Sequence, residues 1–169
     1  MPMPTRSRLL SLLGAGLLLA AAGQPNAAAA LPVLDQAPAW KLTDLDGREI
    51  SAAALKGKVV VVDFWATWCG PCIEEIPGYI ELQKKYGPAG LVIVGLSVDR
   101  KGPGQVKKFA EKNGVNYTLA MADDAVQEAF GGFEAIPTTF LIDRDGRIRH
   151  VKTGLMPPDE YEALVKQLL

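Results

Sequence analysis

Cys69 and Cys72 are the only two cysteines of a 169-residue chain, three positions apart in WATWCGPCIEEIP, residues 65–77. A pair at this spacing can be a structural staple, half of a metal site, or a reagent for thiol–disulfide exchange. As a staple it does little: closing a four-residue loop is worth about 2 kcal/mol in the chain-entropy picture, against about 4.7 kcal/mol for a loop of a hundred residues. A tetrahedral zinc site asks for four ligands. Beyond two thiols the chain offers one histidine, His150 in RIRHVKTG, which reads as an exposed strand residue. Exchange asks for a reachable cysteine whose pKa is lowered, because the thiolate is the attacking species. Cys69 fits, since Pro71 opens a helix and the free N–H groups and macrodipole at that end favour negative charge. Cys72 lies one turn inside, close enough to attack a mixed disulfide formed at Cys69. Cys69 is therefore expected as nucleophile and Cys72 as resolving thiol, with no metal and no cofactor.

Two acids near this pair break the local pattern. With Ile73 at zero and about 100° per residue, the apolar side chains of the helix fill an arc from about 180° to 340°. Glu75 falls at about 200° and Cys72 at about 260°, on the same side. Glu75 is then either at the wet edge of the arc or a partly buried acid beside the resolving cysteine. Asp63 interrupts VVVVDFW in a segment that should be buried on both faces. An unpaired carboxylate there would take up a proton and its pKa would rise. Either Asp63 is hydrogen-bonded in a strand-end turn, or it carries the proton that Cys72 must lose and regain. If both acids lie near the cysteines, they titrate as a linked system.

The elements that must position these groups follow from periodicity. KVVVVDFWA, residues 58–66, is a β-branched and aromatic run that reads as a buried strand. The helix from Pro71 runs to about Tyr86 and ends at Gly87. LVIVGLSVD, residues 91–99, is a second buried strand, followed by an amphipathic helix over 103–113, a strand from Tyr117, and a short helix over 124–130 closed by Gly131 and Gly132. TTFLIDRDGRIRHVKTG reads as a hairpin turning at Asp145 and Gly146, and the tail from Pro158 to Leu169 as a final helix. The expected sheet is mixed, with helices on both faces. AIPTTFLI sets Pro137 just ahead of a strand, where a cis bond is available to proline.

Residues 1–30 read as a secretory signal: Arg6 and Arg8, an apolar run from Leu9 to Ala22, then small residues with Ala-x-Ala cleavage options ending at Ala22 or Ala30. The run of about 14 residues is short of the roughly 20 that span a bilayer, and an uncleaved anchor is the alternative. Arg6 and Arg8 are the only charged residues of that stretch, so residues 31–169 carry 16 basic and 19 acidic side chains, a net charge near −3. No basic run suggests nucleic acid, and 31–169 is the right length for one domain.

The chain resembles the thioredoxin-fold proteins, in particular the exported TlpA/ResA-like disulfide reductases related to the cytochrome c maturation thioredoxins. APAWKLTDLDGREISAAALKGKVVVVDFWATWCGPCIEEIP carries the opening hairpin, first long strand and active-site helix of that family, and FEAIPTTFLIDRDGRI its proline loop and last hairpin. The resemblance implies a three-layer α/β sandwich with an N-terminal β-hairpin and a central helix–strand insertion over residues 100 to about 131. It implies a cis Ile136–Pro137 bond facing the cysteines, Ile136 backbone pairing with an extended substrate segment, and Trp68 as a contact surface beside the nucleophile. It matches Asp63 to the buried acid of classical thioredoxins and Glu75 to the active-site glutamate of the TlpA/ResA-like branch. The Gly70-Pro71 dipeptide is that of strongly reducing thioredoxins, with a potential of about −270 mV against about −120 mV for the oxidant DsbA. The implied function is reduction of disulfides in exported proteins, with apocytochrome c, copper-site proteins and general disulfides as substrates and a membrane thiol carrier as electron donor. Two departures stand out. Thr138 follows the proline where cytochrome c maturation members often carry Glu, and Gly95 stands where classical thioredoxins place a lysine beside the buried acid. A disulfide oxidase or isomerase, a thiol peroxidase and a copper-delivery module are the competing functions, although the Pro, Thr and Cys spacing of a peroxidase is absent around Cys69.

Overall fold

Seven consecutive residues, Val59–Trp65, form strand β4 and every one of them is buried, as an apolar β-branched run at the centre of a sheet must be. The structure is a computed structural model that describes Met1 and residues 31–169; the expected secretory signal over 1–30 falls, apart from Met1, outside the described residues. In chain order the described elements are β1 (Asp35–Gln36), β2 (Lys41–Thr43), β3 (Glu49–Ser51), β4, α1 (Gly70–Tyr86), β5 (Leu91–Ser97), α2 (Pro103–Asn113), β6 (Thr118–Met121), α3 (Asp124–Ala129), β7 (Thr138–Ile142), β8 (Arg147–Thr153) and α4 (Pro158–Leu168). Six strands make one mixed sheet in the order β1-β8-β7-β4-β5-β6, with β4, β5 and β6 parallel and β7 and β8 antiparallel; β2 and β3 form a separate hairpin.

Alternation along β4 sorts the core into two layers. Val60, Val62 and Phe64 face a cluster with Trp40, Val126, Phe130 and Phe140, covered by α3 and the β2–β3 hairpin. Val59 and Val61 face Tyr79, Leu82, Tyr161 and Val165 of α1 and α4. Trp65 continues that second face into a cluster holding both cysteines, Ile76 and Val106 of α2. The architecture is thus a three-layer thioredoxin-like sandwich, helices on both faces. Asp63 shares the odd-numbered face with Val61 and Trp65, so its side chain enters the layer between sheet and α1. It sits mid-strand and 3% exposed, which removes the strand-end turn as its explanation.

Boundaries shift by one or two residues where capping decides them. Helix α1 starts at Gly70 and takes Cys69 itself as N-cap; Val98 and Asp99 fall beyond β5, and Tyr117 before β6. Two hairpins turn on the same five-residue pattern, Asp44-Leu-Asp-Gly-Arg48 and Asp143-Arg-Asp-Gly-Arg147. In each, the glycine N–H bonds back to the first Asp carbonyl, and Gly47 and Gly146 adopt φ of 84° and 83°, the left-handed conformation that closes such a loop.

Candidate active site

The polypeptide leaves β4 at Trp65, turns through Ala66–Trp68 and enters α1 at Cys69. Cys69 Sγ accepts a hydrogen bond from Cys72 N at 3.3 Å, so one sulfur occupies the acceptor position at the helix N-terminus. Cys69 and Cys72 are joined in a disulfide. Cys69 is 6% exposed and Cys72 1%, a difference that leaves the first sulfur as the one an incoming group can reach. The Ile136–Pro137 peptide is cis, and Ile136 O lies 3.7 Å from Cys69 Sγ. That contact can become an S–H···O bond only when the pair is reduced, because a disulfide sulfur has no proton to donate. Pro137 is buried and its carbonyl accepts from Gly154 N at 2.8 Å; Thr138 Oγ1 donates to Ala135 O at 2.8 Å. Trp68, 67% exposed, projects beside Cys69, with Gly70 and Pro71 also at the surface. The residues expected to meet a client, Trp68, Gly70, Pro71, Ile136 and Pro137, therefore surround one sulfur.

The two acids lie on the inner side. Thr139 Oγ1 donates to Asp63 Oδ1 at 3.1 Å, and since that hydroxyl has one proton, the 3.3 Å contact from Tyr79 runs with the phenol as donor. Burial, then the charge of Glu75, push the Asp63 carboxyl up to about 8 against the pull of the Thr139 hydrogen bond. Glu75 is also buried, one turn along the inner face of α1 from Cys72. Met156 N donates to its Oε1 at 2.9 Å, while Oε2 is buried with no partner. Burial raises the Glu75 pKa; the Met156 N–H and the charge of Lys152 oppose the rise. Glu75 is accordingly not at the wet edge of its helix. Tyr79, Tyr117 and Tyr161 surround the pair, and burial followed by the nearby carboxylates keeps these phenols protonated.

Gly95 is the in-register neighbour of Asp63 on β5. A Cβ there would fall 2.6 Å from Leu119 Cδ2 and 3.0 Å from Trp65 Nε1, so a side chain at this position would require Leu119 and Trp65 to shift. The positive charge comes from the other direction: Asp63 pairs with Thr139, and Thr139 with Lys152 on β8, one row across three strands. Residues directly opposite share a face, which puts Lys152 on the side of the acids.

Sequence reasoning passed over Lys152, Thr139, Met156 and a further acid, Asp99. Asp99 lies just past β5 and is 6% exposed. It accepts from Thr67 N at 2.8 Å, Thr67 Oγ1 at 2.6 Å, Ser97 Oγ at 2.8 Å and Gln105 Nε2 at 3.4 Å, tying the loop that carries Trp68 and Cys69 to β5 and α2. A polar residue closing an apolar strand at its carboxyl end was the available signal. No group of three or more His, Cys, Asp or Glu side chains among the described residues is arranged to hold a metal ion.

Residues 33–151 match the model of the AhpC/TSA family. The chain belongs to the AhpC/TSA family. It is 36% identical over 135 residues to the thiol-disulfide oxidoreductase ResA of Bacillus thuringiensis (strain Al Hakam), which covers 79% of this chain and 76% of the relative. It is 37% identical over 134 residues to the ResA of Geobacillus thermodenitrificans (strain NG80-2), with the same coverage. Among solved structures, the thiol:disulfide interchange protein of the thioredoxin family from Chlorobium tepidum TLS superposes with a TM-score of 0.74 at 34% identity, covering 79% of this chain and 95% of that one. This member of the AhpC/TSA family is a thiol-disulfide oxidoreductase of the ResA type, with its Cys-x-x-Cys pair at Cys69 and Cys72.

Proposed function

We propose that the protein is an exported reductase of disulfides in other exported proteins, built as a leader over residues 1–30 and a catalytic domain over 31–169. The observation that carries this reading is a disulfide whose first and more accessible sulfur caps α1 and touches the Ile136 carbonyl. In the reduced protein the Cys69 thiolate attacks a client disulfide, forming a Cys69–client bond and releasing one client sulfur as thiolate. Cys72 then gives up its one proton to the linked Asp63–Glu75 pair, which takes it on the carboxylate that is ionised, and attacks Cys69 Sγ. The second client sulfur leaves, the client holds two more electrons, and the protein is left in the oxidised state of this structure. A carboxyl raised to about 8 exchanges protons near neutrality, where an ordinary aspartate stays ionised. Trp68, Gly70, Pro71 and the Ile136–Pro137 edge bind the extended client segment. No cofactor takes part, and a membrane dithiol carrier restores the reduced form. Apocytochrome c and copper-site proteins head the candidate clients, as exported proteins whose cysteines must be reduced before they take up haem or copper. No helix among the described residues is long and apolar enough to cross a membrane.

The test is the equilibrium potential of the Cys69/Cys72 couple against a glutathione or dithiothreitol buffer, joined to capture of clients as mixed disulfides with Cys72→Ser in the intact exported compartment. A reductase shows a potential below about −220 mV and captures oxidised exported proteins. A potential above about −180 mV makes the direction oxidising, and steady peroxide consumption would replace client reduction by peroxidase chemistry.

A further inference from the structure

Beside Trp68, on the flank formed by the start of the insertion, lies a cleft of about 300 Å³ lined by Trp68, Val98, Asp99, Arg100, Lys101 and Gln105. Asp99 is its one acid; it is 6% exposed, and its carboxylate accepts four hydrogen bonds from Thr67, Ser97 and Gln105, which leaves two cations to one anion in the lining. Arg100 and Lys101 are exposed, and neither takes part in an ion pair among the described residues. The same network fixes the cleft to the chemistry. Thr67 precedes Trp68 and Cys69, and its two bonds to Asp99 hold the basic pair against the loop that presents the reactive sulfur. A client segment reaching Cys69 across the Trp68 ring meets two exposed cations that no ion pair engages.

We infer that this cleft reads acidic side chains next to the client cysteine, so that Arg100 and Lys101 select polypeptide clients with Asp or Glu flanking the disulfide. The inference rests on the exchange chemistry proposed above. Exposed charge pairs contribute modestly and mainly to encounter and choice of partner, so the expected preference is about fivefold for two pairs and is screened by salt.

The experiment uses the reduced protein and two disulfide-bonded peptides identical except for Asp or Lys on both sides of the reactive cysteine, with neutral hydroxyethyl disulfide as a third substrate. At low ionic strength the parent gives a kcat/KM about fivefold higher for the Asp peptide, with the gap closing near 1 M salt. Arg100→Glu/Lys101→Glu inverts the order, Arg100→Gln/Lys101→Gln levels it, and all three proteins reduce hydroxyethyl disulfide equally. The inference is overturned if the parent treats both peptides alike or if the charge-reversed protein still favours Asp. Failure of the parent on all three disulfides would instead remove the exchange reading beneath it.

Discussion

Of the five buried carboxylates among the described residues, four behave in two opposite ways. Asp44 and Asp143 are 8% and 6% exposed; Asp63 and Glu75 are 3% and 5%. Burial pushes all four pKa values up. At Asp44 that push is outweighed by hydrogen bonds from the Arg48 N–H and guanidinium and the Asp46 N–H, and the pKa ends below the usual value. At Asp143 the Arg147 N–H, the Arg149 and Arg147 guanidinium groups and the Asp145 N–H do the same. Asp63 has a single hydroxyl donor and Glu75 a single backbone N–H, with one oxygen left over. Their pKa values rise. Burial alone does not decide the protonation state of an acid; the number of donors that arrive with it does. The acids that clamp turns receive a full set of donors, and the two acids proposed as proton carriers are left short of them.

The sharpest way to break this comparison is to delete one acid of each kind. Asp143→Ala leaves the Asp145 and Arg147 N–H groups and the nearby guanidiniums without their acceptor. The expected loss is about 2–3 kcal/mol in chemical denaturation, discounted because Arg147 is partly exposed, with disulfide exchange in the folded fraction unchanged. Asp63→Asn should act the other way, raising stability above neutral pH while slowing exchange by about 10²-fold. In the parent the folded carboxyl keeps its proton up to about 8 while the unfolded one loses it at the ordinary value. Unfolding between those limits therefore releases a proton, and the parent loses up to about 1.4 kcal/mol per pH unit as pH rises through that window. The Asn variant lacks this slope, and a variant both less stable and fully active would break the comparison. The lowered acids predict the reverse dependence at low pH: their contribution is present above the unfolded value near 4 and is lost as pH falls through the folded pKa.

Smaller effects sharpen the contrast within the raised pair. Glu75→Gln keeps the acceptor for Met156 N, so stability should stay within about 1 kcal/mol, while the resolving step slows about tenfold and its pH dependence shifts in stopped-flow traces. Superimposable profiles would remove Glu75 from proton transfer. Lys152→Met takes away the cation that opposes the rise of Glu75, so the pH at which the resolving rate turns over should move upward, with Lys152→Arg restoring it. The expected change is a few-fold at a fixed pH near 7, because a partly exposed lysine is screened by solvent.

Much of this molecule was legible in the order of its residues. The unbroken run from Val59 to Trp65 with a Cys-x-x-Cys and Pro71 behind it implied a central strand feeding a capped helix, and Asp-Gly before Arg147 implied the last hairpin. Period and turn chemistry are local, acting over a few residues, so they survive in a linear reading. The 3.6-residue period put Glu75 on the apolar side of its helix but left open whether it sat at the wet edge; the structure buries it with Ile76, Tyr79 and Leu82. Thr139 at Asp63, Met156 on Glu75, Lys152 across the sheet, and Asp99 clamping Thr67 could not be read that way. These partners lie 76, 81, 89 and 32 positions apart, Lys152 being counted from Asp63 in its row, and only strand register and helix packing choose which of many polar residues meet. The sequence by itself determined that a buried strand carrying one acid would feed a helix opened by two cysteines, with a second acid on that helix's apolar side. How many donors reach each acid, and hence whether its pKa rises or falls, was decided only when distant strands closed around them, because a hydrogen bond forms only within about 3 Å.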